Sequence, residues 1–123
     1  MQDFKKLAVW QRAHAFTLAV HRIVHQFPRR SFSSLKTQLT TAAESIGANI
    51  AEGCGSTTQP ELARYLDIAI KSANETEHHL LTARDLGAMP HTHWQPLNSE
   101  LIEIRRMTYG LRRKVLNLPQ PKP

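Results

Sequence analysis

One cysteine, Cys54, in 123 residues excludes an intramolecular disulfide and with it the stapled architecture of a small secreted domain. Long apolar runs are missing too. Charged residues or histidines interrupt every window before it reaches the roughly 18 to 20 apolar residues of a membrane span. The opening MQDFKKLAVWQRAHAF lacks the unbroken apolar stretch of a signal peptide, so a cytoplasmic protein without membrane contact is expected. Period-two alternation, which would mark half-buried strands, is absent, as are internal repeats. So are the constellations of catalysis: no glycine-rich loop stands between strand and helix, no nucleophile has a base at a fixed spacing, and His21 and His25, four apart as a chelating pair could be, have no carboxylate at a matching offset to complete a metal site. The expectation is a protein that is not an enzyme and holds no cofactor and no metal.

What remains is helical. A hydrophobic content of 41% suits one domain, placed at residues 1–118, with a flexible Pro-rich tail at 119–123. From Leu7 to Phe27, the residues Leu7, Trp10, Ala13, Val20, Val24 and Phe27 recur at helical spacing, and Pro28 ends the run. Leu35, Leu39, Ala42, Ala43, Ile46 and Ile50 make a second stripe running into Gly53 and Gly55. Thr58 and Glu61 read as a capping box opening a third helix, which carries Leu62, Leu66, Ala69, Ala73, Leu80 and Ala83 inward and stops near Gly87 and Pro90. Trp94, Leu97, Leu101, Ile104, Thr108, Leu111 and Val115 make the fourth, with Thr92 and Gln95 as candidate caps and Pro96 one residue too deep for that start. Short joints favour antiparallel neighbours, so the expected fold is an all-α, up-down-up-down four-helix bundle.

The stretch SIGANIAEGCGS, residues 45–56, places its glycines after a helix. That is the wrong side for a phosphate loop, and Gly53 suits the left-handed position that closes a helix. Cys54 has no neighbouring histidine or acid to activate it. Gln38, Ser45, Asn49 and Glu52 fall along one flank of helix two, where polar groups near neighbouring helices need partners, and an interhelical hydrogen-bond network follows. Glu75 and Glu77 of helix three are expected to join it, Glu77 from beside the apolar stripe; the two lie about 200° apart around the helix, so they do not form an acid–base pair.

The runs QLTTAAESIGANIAEGCGS, ARYLDIAIKSANETE and LAVWQRA, with Phe27 and Pro28, resemble the bacterial four-helix-bundle family first noticed as open reading frames in intervening sequences of 23S ribosomal RNA. Its superfamily includes the accessory variability protein of diversity-generating retroelements. Gln38, Ser45, Ile46, Asn49, Ile50, Ala51, Glu52 and Gly53 match the motif of helix two, and Leu66, Ala69, Ser72, Glu75 and Glu77 that of helix three. The resemblance implies a cytosolic, non-enzymatic protein assembled as a homopentameric ring. In the retroelement branch it also implies association with a reverse transcriptase and with RNA or DNA. Where relatives often carry arginine, this chain has Thr40 and Thr41, and Ile70 and Lys71 replace an arginine and a glycine.

Sixteen Lys and Arg against ten Asp and Glu give a net charge of +6, which favours anionic partners. RRMTYGLRRK, residues 105–114, makes Arg105, Arg106, Arg112, Arg113 and Lys114, with Tyr109 among them for base stacking, the candidate nucleic-acid contacts. The alternative for this run is a solvated helix end favoured by the helix dipole. Ile102, Tyr109 and Leu116, seven apart, form a second apolar row that a bundle core cannot also cover, and this row is the candidate subunit interface. His14, His21 and His25 share a flank of helix one, with no carboxylate at a matching offset, and read as a titrating surface. Two functions stay open: an oligomeric accessory protein binding nucleic acid or a nucleoprotein complex, and a homo-oligomeric protein-interaction scaffold.

Overall fold

The computed structural model describes residues 2–117; Met1, Leu118 and the tail expected at 119–123 lie outside them. A short 3-10 turn at Phe4–Lys6, capped by Asp3, leads into α1 (Ala8–Val24), α2 (Ser33–Cys54), α3 (Gln59–Asp85) and α4 (His91–Val115). No strand occurs among the described residues. Each helix packs on two others in a closed square: α1 against α2 and α4, and α3 against α2 and α4, with α2–α3 the most extensive seam. Cross-helix contacts give the polarity. Ser45 of α2 meets Ser72 of α3, Arg105 of α4 meets Glu77, and the later Arg112 meets the earlier Asp67, as antiparallel neighbours require.

The stripes expected to face inward do so through the middle of each helix, while Leu7, Trp10, Val24, Leu35, Trp94, Leu111 and Val115 pack half-buried at the core's edge. Ala13, Phe16 and Val20 of α1, Leu39, Ala43, Ile46 and Ile50 of α2, Leu66, Ala69, Ala73 and Leu80 of α3, and Leu101 and Ile104 of α4 are buried together. Each large side chain among them contributes about 1.5 to 3 kcal/mol of burial. Thr76 and Thr108 are equally buried, and each satisfies its hydroxyl on the carbonyl four residues back, Ser72 and Ile104.

The ends of the helices hold the surprises. α1 stops at Val24, one turn short of Phe27, because Pro28 disfavours helical backbone before it; Gln26 and Phe27 donate instead to Ile23 and Val24, and Phe27 plugs the bundle end. Thr58 caps α3 as expected, its hydroxyl accepting from Glu61 N–H at 3.3 Å. At the other end of α3, Gly87 at φ 75° lets Ala88 donate to Ala83 and itself donates to Arg84, the paired bonds of a Schellman stop. Gly53, by contrast, is not a left-handed stop: it lies within α2, and the cap Gly55 has φ −83°. Its missing side chain serves contact. A Cβ there would stand 2.8 Å from Leu62 Cδ1 and 3.0 Å from Tyr65 Cβ, so glycine lets the end of α2 approach the start of α3. Thr92 and Gln95 do not cap α4, which begins at His91 after Pro90 and has Pro96 inside it.

Candidate nucleic-acid and assembly surfaces

α4 carries its cations on two seams. Arg105 donates through Nη1 to Asn74 Oδ1 and Glu77 Oε1 of α3, both at 2.7 Å, and one spacing further on Arg112 meets the Asp67 carboxylate. On the α1 side, Arg12 holds Glu100 with two bonds of 2.9 and 2.6 Å, while Arg106 grips Glu103 on its own helix. Arg106 and, more weakly, Arg12 hold the Glu103 carboxyl below the usual carboxylate range, chiefly through the Arg106 hydrogen bonds. Three of the candidate phosphate contacts, Arg105, Arg106 and Arg112, therefore have carboxylates of the same chain beside them. Arg113 is half-buried and Lys114 exposed, and neither has an ion pair among the described residues. Of the pairing acids, only Glu103, three residues before Arg106, could be matched from sequence spacing; Asp67, Glu77 and Glu100 meet their arginines only once helices are side by side.

The polar flank of α2 splits in two. Ser45 and Ser72 share a hydrogen bond of 2.8 Å across the α2–α3 seam, and Asn49 donates to the Ser45 carbonyl and hydroxyl at 2.8 and 2.9 Å. Gln38 donates instead to Ser34 on its own helix, and the exposed Glu52 makes no side-chain hydrogen bond among the described residues. Glu75 meets His79 on its own helix at 3.3 Å, whereas Glu77 reaches α4. Sequence spacing missed Ser72 and Asn74 as members, along with Thr17, whose hydroxyl donates to the Ala43 carbonyl between α1 and α2.

Two apolar surfaces stay uncovered. Ile102 and Tyr109 are 45% and 44% exposed on α4, with Leu116 half-buried below them. On the α1–α2 side, Phe4, Trp10, His14, Leu18, Gly47, Ala48 and Ala51 line a groove of about 440 Å³. Phe4 meets Trp10 edge-on and His14 stacks flat on it, both at 4.9 Å between centroids, which fixes the indole as a groove wall. His21 bonds Glu44 at 2.6 Å at the groove rim, and His25 is exposed. The three histidines thus have different surroundings. No group of three or more His, Cys, Asp or Glu suited to a metal occurs among the described residues, and no described helix is long and apolar enough to cross a membrane. Cys54 is buried, and burial pushes its thiol pKa up, away from the reactive thiolate.

These features define a class: a basic, all-α four-helix bundle with a polar α2–α3 seam and two open apolar faces. The model of the 23S rRNA-intervening sequence protein family matches residues 5–110, and the chain belongs to that family. Five solved chains match it. Among them is a protein of unknown function from the S23 ribosomal protein family of Bacteroides thetaiotaomicron, 22% identical, superposing with a TM-score of 0.79 over 86% of this chain and 99% of that one. At that identity the likeness is one of fold. No curated protein matches the chain.

Proposed function

We propose that this chain is the subunit of a homo-oligomeric, non-enzymatic accessory protein of the cytoplasm that associates with nucleic acid or a nucleoprotein complex. The observation that carries the assembly is the coexistence of a ridge, Ile102 and Tyr109, and a groove, walled by Trp10 and floored by Gly47 and Ala48, on different faces of one chain. The rims differ in sign, Arg106 and Arg113 beside the ridge and Glu44 beside the groove. A ridge that fits a groove elsewhere on an identical molecule makes a head-to-tail contact, which closes into a ring when the rotation allows. The family resemblance sets the expected number at five. Such a ring has a net charge of +30 (5 × 6), which draws polyanions and makes RNA, DNA or a reverse transcriptase bound to them the expected company. With Tyr109 in the contact, Arg113 and Lys114 are the α4 cations left for phosphate.

The test is mass in solution for four samples. Wild type should be a pentamer, Tyr109→Glu and Ala48→Glu each a monomer, and an equal mixture of the two variants a dimer, because one intact ridge and one intact groove remain but no ring can close. A monomeric wild type, or variants that keep the wild-type mass, overturns the proposal. The pairing of Arg105, Arg106 and Arg112 with acids favours a second reading, a protein-interaction scaffold whose charge is incidental. One stoichiometric protein partner retained after nuclease treatment would support it.

A further inference from the structure

Between Asp3 and Glu44 the sequence holds no acidic residue, yet it holds seven cations: Lys5, Lys6, Arg12, Arg22, Arg29, Arg30 and Lys36. Arg12 is spent on Glu100, and among the described residues no other of the seven has an ion pair. Four of them gather at one end of the bundle. Arg22 lies in the last turn of α1, Arg29 and Arg30 in the joint, and Lys36 in the first turns of α2.

The joint is anchored on both sides. Phe27 is buried and Phe32 packs half-buried against the core, while Arg29, Arg30 and Ser31 between them are exposed. Arg30 and Phe32 adopt φ of 64° and 62°, a left-handed backbone that non-glycine residues keep only when their surroundings fix it. Lys36 Nζ donates to the Pro28 carbonyl at 3.4 Å, which ties the turn down without neutralising the ammonium. The cations are thus held out on an anchored spur, and binding to it orders little that is loose. The acids on this half of the bundle are engaged elsewhere: Glu44 of α2 by His21, next to Arg22, and at the end of α3 Asp85 by Arg84 and Glu75 by His79. Beside the spur lies a cleft of about 530 Å³ in which Phe32 and Leu35 alternate with Ser33, Ser34, His78 and Thr82, a lining of mixed polar and apolar character.

We infer that the α1–α2 turn, through Arg22, Arg29, Arg30 and Lys36, is the principal contact for the phosphate backbone of nucleic acid. This rests on the nucleic-acid part of the proposed function and moves its centre away from α4. Phosphate contacts of this kind position a strand without reading its sequence.

The experiment compares two triple variants of equal charge, Arg22→Gln/Arg29→Gln/Arg30→Gln in the turn and Arg106→Gln/Arg113→Gln/Lys114→Gln in α4, each at +3 (6 − 3). Binding to single-stranded RNA and to duplex DNA is measured across a salt series, with mass and helicity checked in parallel. The turn variant should lose affinity, and its slope of log K on log salt should flatten by about 2 on single strands and about 2.7 on duplex, three contacts at roughly 0.7 and 0.9 each. The α4 variant should keep the wild-type slope. Equal losses in both, or a larger loss in the α4 variant, overturn the inference and leave the proposed function standing. A wild type that binds neither probe at low salt overturns both. Should the α4 triple variant lose its fold, Arg30→Gln and Arg106→Gln decide the matter singly: both side chains are exposed, and only the first should lower the slope.

Discussion

Substituting the glycines by alanine, one at a time, tests how tightly α2 and α3 are packed, because each site sets a different sign. Within a helix, alanine is favoured over glycine by about 1 kcal/mol. Gly110 lies inside α4 with nothing within 4 Å of an added Cβ, so Gly110→Ala should stabilise by about that amount. At Gly53 the new methyl would sit 2.8 Å from Leu62 Cδ1 and 3.0 Å from Tyr65 Cβ. The Leu62 terminus can swing aside, but Tyr65 Cβ is fixed to backbone, and overpacking of this kind costs about 1 to 3 kcal/mol. Gly53 is also the penultimate residue of α2, where the propensity gain is smaller. The net expectation is destabilisation by about 1 to 2 kcal/mol. Gly87→Ala should cost a similar amount for another reason, since φ 75° places a Cβ against the following carbonyl at about 1 to 2 kcal/mol. Urea unfolding at one fixed protein concentration gives the order: Gly110→Ala above wild type, and Gly53→Ala and Gly87→Ala below it. In a Leu62→Ala background the cost of Gly53→Ala should shrink, whereas that of Gly87→Ala should not. A Gly53→Ala protein as stable as Gly110→Ala refutes the close contact.

Two further expectations concern single groups. Glu103 is held below the usual carboxylate range in the fold, so its contribution is present above the unfolded value and lost as pH falls through the folded one. Urea stability of the wild type should therefore drop more steeply on acidification than that of Glu103→Gln, and parallel curves would show that the Arg106 pair contributes nothing. Cys54, buried and with its thiol pushed up, should react with a disulfide reagent at neutral pH at least about a hundredfold more slowly in the native protein than in urea, the ratio expected if exposure requires an opening of about 3 kcal/mol. Equal rates would mean that the thiol lies open to solvent.

The helices were legible because burial repeats along the chain. Ala13, Phe16 and Val20, or Leu97, Leu101 and Ile104, recur at the helical period whatever they pack against. Thr58 and Gly87 were legible as punctuation because a cap or a left-handed turn depends on a few adjacent residues. Gly53 was misread on the same logic: a glycine at a helix end answers equally to backbone conformation and to a neighbour's approach, and only the position of Leu62 and Tyr65 separates the two. The polar flank was legible as a direction and not as a set of partners. Asn49 and Ser45 point into the seam, but Gln38 and Glu52, on nearly the same line, lie where the surface is open.

Charge was the least legible quantity, and the order of the helices explains why. Five of the ten acids, Glu61, Asp67, Glu75, Glu77 and Asp85, stand on α3. In a closed square α3 touches α2 and α4 but lies diagonally across from α1. Its acids can therefore neutralise the arginines of α4, as Asp67 and Glu77 do, and have no route to the cations of α1 or the outer side of its turn. Arg12 finds a carboxylate because Glu100 and Glu103 lie on the other neighbour of α1. A dense run such as RRMTYGLRRK thus becomes largely compensated, while the sparser cations from Arg22 to Lys36 keep their charge. The basic surface follows from which helices are adjacent, a property that no local count of arginines contains.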